Sequence, residues 1–75
     1  MNKDRRLKLK NGIKLIEEGI GIIEKVLDDE RSCFDNLSEG LQQTMRGETM
    51  EENVDILEEN IEAINEAINE LNNIY

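Results

Sequence analysis

Residues 54–71, VDILEENIEAINEAINEL, decide the fold of this 75-residue chain. Apolar side chains recur in this stretch at alternating spacings of three and four residues. Such a heptad pattern indicates an amphipathic α-helix whose apolar seam packs against another helix. The seam continues beyond both ends of the stretch and comprises Met50, Val54, Leu57, Ile61, Ile64, Ile68, Leu71 and Tyr75.

The first half of the chain repeats the pattern, with Glu30 as its one charged interruption. Its seam comprises Leu9, Ile13, Ile16, Ile20, Ile23, Leu27, Phe34, Leu37 and Leu41. The chain has no proline, and its residues are 37% hydrophobic, 36% charged and only 3% aromatic, a composition typical of helical bundles. We therefore predict an all-α protein that forms a single coiled-coil-like, antiparallel helical hairpin.

The helix boundaries follow from capping residues. Gly47 is suited to the left-handed position after a helix, and Thr49 with Glu52 forms a capping box. Ser38 lies in a polar stretch and can cap a short helix. We predict a long helix over about residues 4–35, a short helix over about 38–45, a turn at 46–48 and a second long helix over about 49–73. A single bent helix in place of the first two is the alternative.

A turn at Gly47 would pair Leu41 with Val54 and would leave residues 3–19 beyond the end of the second long helix. The apolar side chains in this overhang would forfeit on the order of 5 kcal/mol if they stayed in water. We therefore expect a second copy to cover them, giving a dimeric four-helix bundle. The expected oligomer or partner interface comprises Leu9, Ile13, Ile16, Ile20, Gly12, Gly19, Lys10 and Lys14.

The net charge of −9 is unevenly distributed, because the first fourteen residues are basic and the rest of the chain is acidic. The acidic bulk weighs against direct binding to nucleic acid. The second long helix carries a stripe of carboxylates, which we call the acidic stripe: Glu51, Asp55, Glu59, Glu62, Glu66 and Glu70. The stripe is a candidate mimic of nucleic-acid phosphates or a docking face for a basic protein, but a solvated surface is the favoured interpretation.

No motif in the sequence predicts a catalytic, metal-binding or cofactor-binding site. The chain has no histidine and a single cysteine, Cys33, so an internal disulfide is excluded. It has no EF-hand loop, no glycine-rich phosphate loop and no nucleophile beside a base. It also has no apolar run long enough for a signal peptide or a membrane span. We expect a soluble, cytoplasmic, non-catalytic protein without a metal, cofactor or small-molecule substrate.

Residues 34–42, FDNLSEGLQ, followed by RGE at 46–48 and a Glu-rich helix, resemble small acidic helical-hairpin proteins of Firmicutes phages and prophages. Ser38 stands where that family has a proline. The resemblance implies a phage protein that acts in the host bacterium by binding a host or phage protein, for example by inhibiting a defence component. The alternative is an acidic nucleic-acid mimic that occupies the basic channel of a DNA- or RNA-binding enzyme.

Overall fold

The computed structural model describes residues 1–74, which form three helices and no strand. Helix α1 spans Lys3–Asp35, α2 is the single turn Glu39–Gln42, and α3 spans Met45–Asn72. The long helices α1 and α3 pack against each other as a hairpin with extents of 58 × 16 × 13 Å. The predicted all-α class and hairpin shape are confirmed.

Local capping explains the bounds of α1 and α2. The side chain of Asn2 accepts a hydrogen bond from the backbone N–H of Arg5 at 2.9 Å and so caps the start of α1. The hydroxyl of Ser38 accepts from Leu41 N–H at 3.3 Å and caps α2. The prediction of a long helix ending at residue 35 and a separate helix capped by Ser38 is confirmed, and the single bent helix is wrong.

The predicted end of the short helix near 45, the turn at 46–48 and the start of the second long helix near 49 are wrong. Helix α2 ends at Gln42, and α3 begins at Met45 with Thr44 as its N-cap. The Thr44 hydroxyl accepts from Gly47 N–H at 3.3 Å, whereas the Thr49 hydroxyl lies inside the helix and donates to the Met45 carbonyl at 2.9 Å. Gly47 is buried in the first turn of α3 and has no positive φ. Glycine is needed there for close approach to α2, since a Cβ at this position would lie 2.6 Å from the Leu41 carbonyl oxygen.

Hydrogen bonds from the Gln42 side chain connect α2 to the end of α1. Its side-chain amide donates to the carbonyls of Phe34 and Leu37 at 3.1 and 3.2 Å. The Phe34 carbonyl lies in the last turn of α1 and also accepts from Leu37 N–H at 3.0 Å, and the Leu37 carbonyl lies in the connection to α2. The half-buried Gln42 amide thus ties this connection to both helices.

We expect Gln42→Glu to lower the free energy of unfolding by about 1–2 kcal/mol, because a carboxylate cannot donate and would face two carbonyl oxygens. The matched control is Gln43→Glu, which adds the same charge at the exposed neighbouring residue. Chemical denaturation checks both variants. Equal losses in the two variants would show that these hydrogen bonds do not stabilise the corner.

The hydrophobic core is a single line of side chains between α1 and α3. Its buried members are Ile13, Ile20, Leu27, Ile61 and Ile68, and the residues packed against them are Leu9, Val54, Leu57, Ile64 and Leu71. Ile13 is only 3% exposed, so the predicted overhang of residues 3–19 is wrong for Ile13 and for Leu9. The chain reverses at 36–44 and not at 46–48, and the earlier reversal carries α3 further along α1.

Candidate protein-association face

A second row of apolar side chains on α1 lies outside the core. Leu15 is 60% exposed and Ile22 is 65% exposed, and these two residues are seven apart, as are Gly19 and Val26. At about 100° per residue, Gly19 and Val26 are displaced by about 100° from the core line towards one side of the hairpin, and Leu15 and Ile22 by about 160°, towards its outer surface. Ile16 and Ile23 lie between the core line and the second row and are also exposed.

Helix α3 carries a matching row, in which Ile56 is 52% exposed and Ala63 and Ala67 are also exposed. The row is displaced from the α3 core line in the same rotational sense along the sequence. Because α3 runs antiparallel to α1, equal rotations along the two sequences bring the rows to the same side of the hairpin. Together they form what we call the apolar face: Gly12, Leu15, Ile16, Gly19, Ile22, Ile23, Val26, Ile56, Ala63 and Ala67.

Apart from Leu7, which is 57% exposed, the opposite side of the hairpin is polar. An ion pair between Arg31 and Glu58 bridges α1 and α3, and the same helical periodicity places both residues away from the apolar face. The acidic stripe is exposed along its length and lies on the outer and polar sides of α3. The apolar face is therefore bounded by charge and is not part of a uniformly apolar surface.

Glycines on the apolar face have no role inside the hairpin. A Cβ built on Gly12 or Gly19 would meet nothing within 4 Å. Each glycine inside a helix costs about 1 kcal/mol relative to alanine. The fold itself thus gains nothing from these glycines, whereas a helix of another molecule could approach more closely over them.

The accessible surface shows how much of this hairpin is left uncovered. The chain exposes 5826 Å². A compact monomer of its mass, 8.7 kDa, exposes about 4,700 Å² by the usual scaling of surface with mass. The excess of about 1,100 Å² exceeds the ~800 Å² that each partner buries in a standard protein–protein interface.

The structure buries some of the interface residues expected from the sequence and leaves others exposed. Ile13 and Ile20 are buried in the hairpin core, and Leu9 packs against them. Lys10 and Lys14 are exposed, but helical periodicity places them away from the apolar face. The expected residues that the apolar face does contain are Ile16, Gly12 and Gly19.

Sequence reasoning missed Leu15, Ile22 and Ile56. The signal for them is a second heptad row immediately beside the first, visible in the spacing of Leu15 from Ile22 and of Gly19 from Val26. A helix with a single seam needs an apolar arc of roughly 100°, and α1 has a wider one.

Residues 1–74 contain no detected cavity and no group of three or more His, Cys, Asp or Glu side chains arranged to hold a metal ion. Within the same part of the chain, no helix has the length and apolar character needed to cross a membrane. The fold and the site together define a two-helix hairpin with one exposed apolar face. No protein-family model, curated protein sequence or solved structure matches this chain.

Proposed function

We propose that this chain is a non-catalytic protein–protein interaction module that self-associates through its apolar face into a dimeric four-helix bundle. The observation that carries the proposal is the pair of exposed apolar rows on one side of the hairpin. Within residues 1–74, five buried side chains form a small core, and small domains of this kind often gain stability by oligomerisation. Burial of a second face would supply that stability.

The setting we propose is the cytoplasm of a bacterium infected by, or carrying, a phage. There the dimer would bind a host or phage protein, such as a component of a defence system, and inhibit it. The resemblance of residues 34–48 to phage hairpin proteins supports this setting. The surfaces that remain exposed after dimerisation, among them the acidic stripe, would be available to this second partner.

The spacing of the carboxylates in the acidic stripe weighs against nucleic-acid mimicry. The six carboxylates of the acidic stripe extend over residues 51–70, which places them about 5.7 Å apart along the helix axis. Phosphates follow one another at about 3.4 Å along each strand of duplex DNA. The stripe is thus less densely charged than a single strand, and we retain mimicry only as the second candidate.

We expect Ile22→Asp to convert the dimer into a monomer, because the change places a carboxylate on the apolar face, three residues from Gly19. The side chain is 65% exposed in the hairpin, so the fold itself should tolerate the change. Light scattering at concentrations from about 1 to 100 µM would measure the mass, and circular dichroism would check that the helices remain.

The matched control is Ser32→Asp, which adds the same charge to the exposed outer side of α1 and should leave the dimer intact. A wild-type chain that stays monomeric throughout this concentration range would overturn the proposed self-association. So would a dimer that Ile22→Asp leaves unchanged.

A further inference from the structure

The two ends of the hairpin carry opposite charge. At the open end, residues 3–14 contain six basic residues against one acidic residue. This end stays positive when Glu66 and Glu70, near the end of α3, are included. At the turn end, residues 28–52 contain eight acidic residues against two basic ones. The elongated shape keeps these regions far apart within one molecule, since the longest extent is 58 Å.

We propose that two copies pair face to face in an antiparallel arrangement, with the basic open end of each lying on the acidic turn end of the other. In this arrangement α1 of one copy lies along α1 of the other, centred on Gly19. The inference rests on the proposed self-association and specifies its geometry.

Two-fold symmetry leaves two ways to stack the apolar faces of identical hairpins. In the first, the hairpins point the same way, so that the turn ends meet and the eight acidic residues of one copy lie beside those of the other. In the second, the hairpins point in opposite directions and each end meets its complement. Like charges brought together at an interface oppose association, so charge selects the second arrangement.

The sequence of α1 fits an antiparallel pairing about Gly19. Residues equally distant from Gly19 face each other across the two copies, so Gly12 meets Val26 and Leu15 meets Ile23. Gly19 meets its own counterpart, where the absence of a Cβ allows two backbones to approach closely. This arrangement gives Gly12 and Gly19 a use that the isolated hairpin does not provide.

The same pairing brings Lys8 of each copy opposite Glu30 of the other. Helical periodicity places both residues on the apolar-face side of α1, and Glu30 is half-buried. Within its own chain Lys8 pairs with Asp4 at 3.1 Å, but both side chains are largely exposed, and such a pair contributes little. The Lys8 ammonium can therefore reach Glu30 of the second copy without a large loss.

A charge exchange tests this contact. We expect Lys8→Glu and Glu30→Lys each to raise the dimer dissociation constant by about tenfold at low salt, because each change creates two repulsive contacts in a symmetric dimer. The double variant should return to within about threefold of the wild type. Lys14→Glu makes the same charge change away from the face and should have a smaller effect. Analytical ultracentrifugation measures all four variants and the wild type.

Failure to recover affinity in the double variant, with the wild type still dimeric, overturns the antiparallel arrangement and leaves the proposed self-association standing. The arrangement is equally overturned if Lys14→Glu weakens the dimer as much as Lys8→Glu does. A monomeric wild type overturns the proposed function itself, and the arrangement with it.

Thiol cross-linking gives a second, independent readout. The single cysteine, Cys33, would lie about 42 Å along the bundle from its counterpart in the antiparallel dimer. Arg5→Cys would place a new thiol opposite Cys33 of the other copy. Mild oxidation with diamide should therefore link Arg5→Cys into covalent dimers and leave the wild type unlinked. Failure of Arg5→Cys to link, while light scattering still shows a dimer, would overturn the antiparallel arrangement.

Discussion

Gly47→Ala should lower the free energy of unfolding by about 2 kcal/mol, although alanine is the better helix former. The added Cβ would lie 2.6 Å from the Leu41 carbonyl oxygen and would also meet the backbone of Gln42. These are backbone atoms of α2, so α2 would have to move as a unit and would loosen its contact with α3. The steric cost therefore outweighs the gain in helix propensity.

The matched control for Gly47→Ala is Gly21→Ala. Gly21 is exposed in the middle of α1, and a Cβ there would meet nothing within 4 Å. This variant should raise the free energy of unfolding by about 0.5–1 kcal/mol. Urea denaturation followed by circular dichroism measures both, and a stabilising Gly47→Ala would mean that α3 does not begin against α2.

Ile20→Ala should lower the free energy of unfolding by about 2–5 kcal/mol, the range found for large-to-small changes in buried positions. Ile20 is 6% exposed and lies in the core line between α1 and α3. With only five buried side chains in this line, few neighbours can collapse into the space that the substitution leaves. A loss of this size would unfold much of the population in a marginally stable chain.

The variant Ile22→Ala distinguishes the contribution of the apolar face to stability from that of the core. Ile22 is two residues away from Ile20 but largely exposed, so its truncation should cost little in the isolated hairpin. At about 1 µM it should behave like the wild type, and at about 100 µM it should be less stable, because the dimer would then contribute to stability. Ile20→Ala should be destabilised at both concentrations, and similar behaviour of the two variants would contradict the separation of core and face.

Several features of this fold could be predicted from the sequence because they depend on neighbours along the chain. The heptad spacing of α1 and α3 predicts two amphipathic helices, since side chains three and four residues apart share one side of a helix. The polar residues at 35–38 predict the end of α1, and Ser38 predicts the cap of α2, because capping is a hydrogen bond within one turn. These predictions agree with the structure.

The start of α3 could not be decided from local pattern, because Thr44 and Thr49 can both cap a helix. What distinguishes them is the packing of Gly47 against α2, a contact between elements that the sequence does not show. Placing the reversal at 36–44 and not at 46–48 shifts the pairing of the two long helices along a seam that repeats every seven residues. A heptad pattern is unchanged by such a shift, and so the same seam residues fit either register.

The sequence by itself thus determined the class of fold, the two helices and the uneven charge, because periodicity, capping and composition are properties of the chain. Only the tertiary structure decided the register, which buries Ile13 and leaves Leu15, Ile22 and Ile56 exposed. The physical reason is that repeating seams leave several pairings nearly equivalent. The close approach of α2 to Gly47 selects one of them and thereby determines which apolar side chains stay exposed.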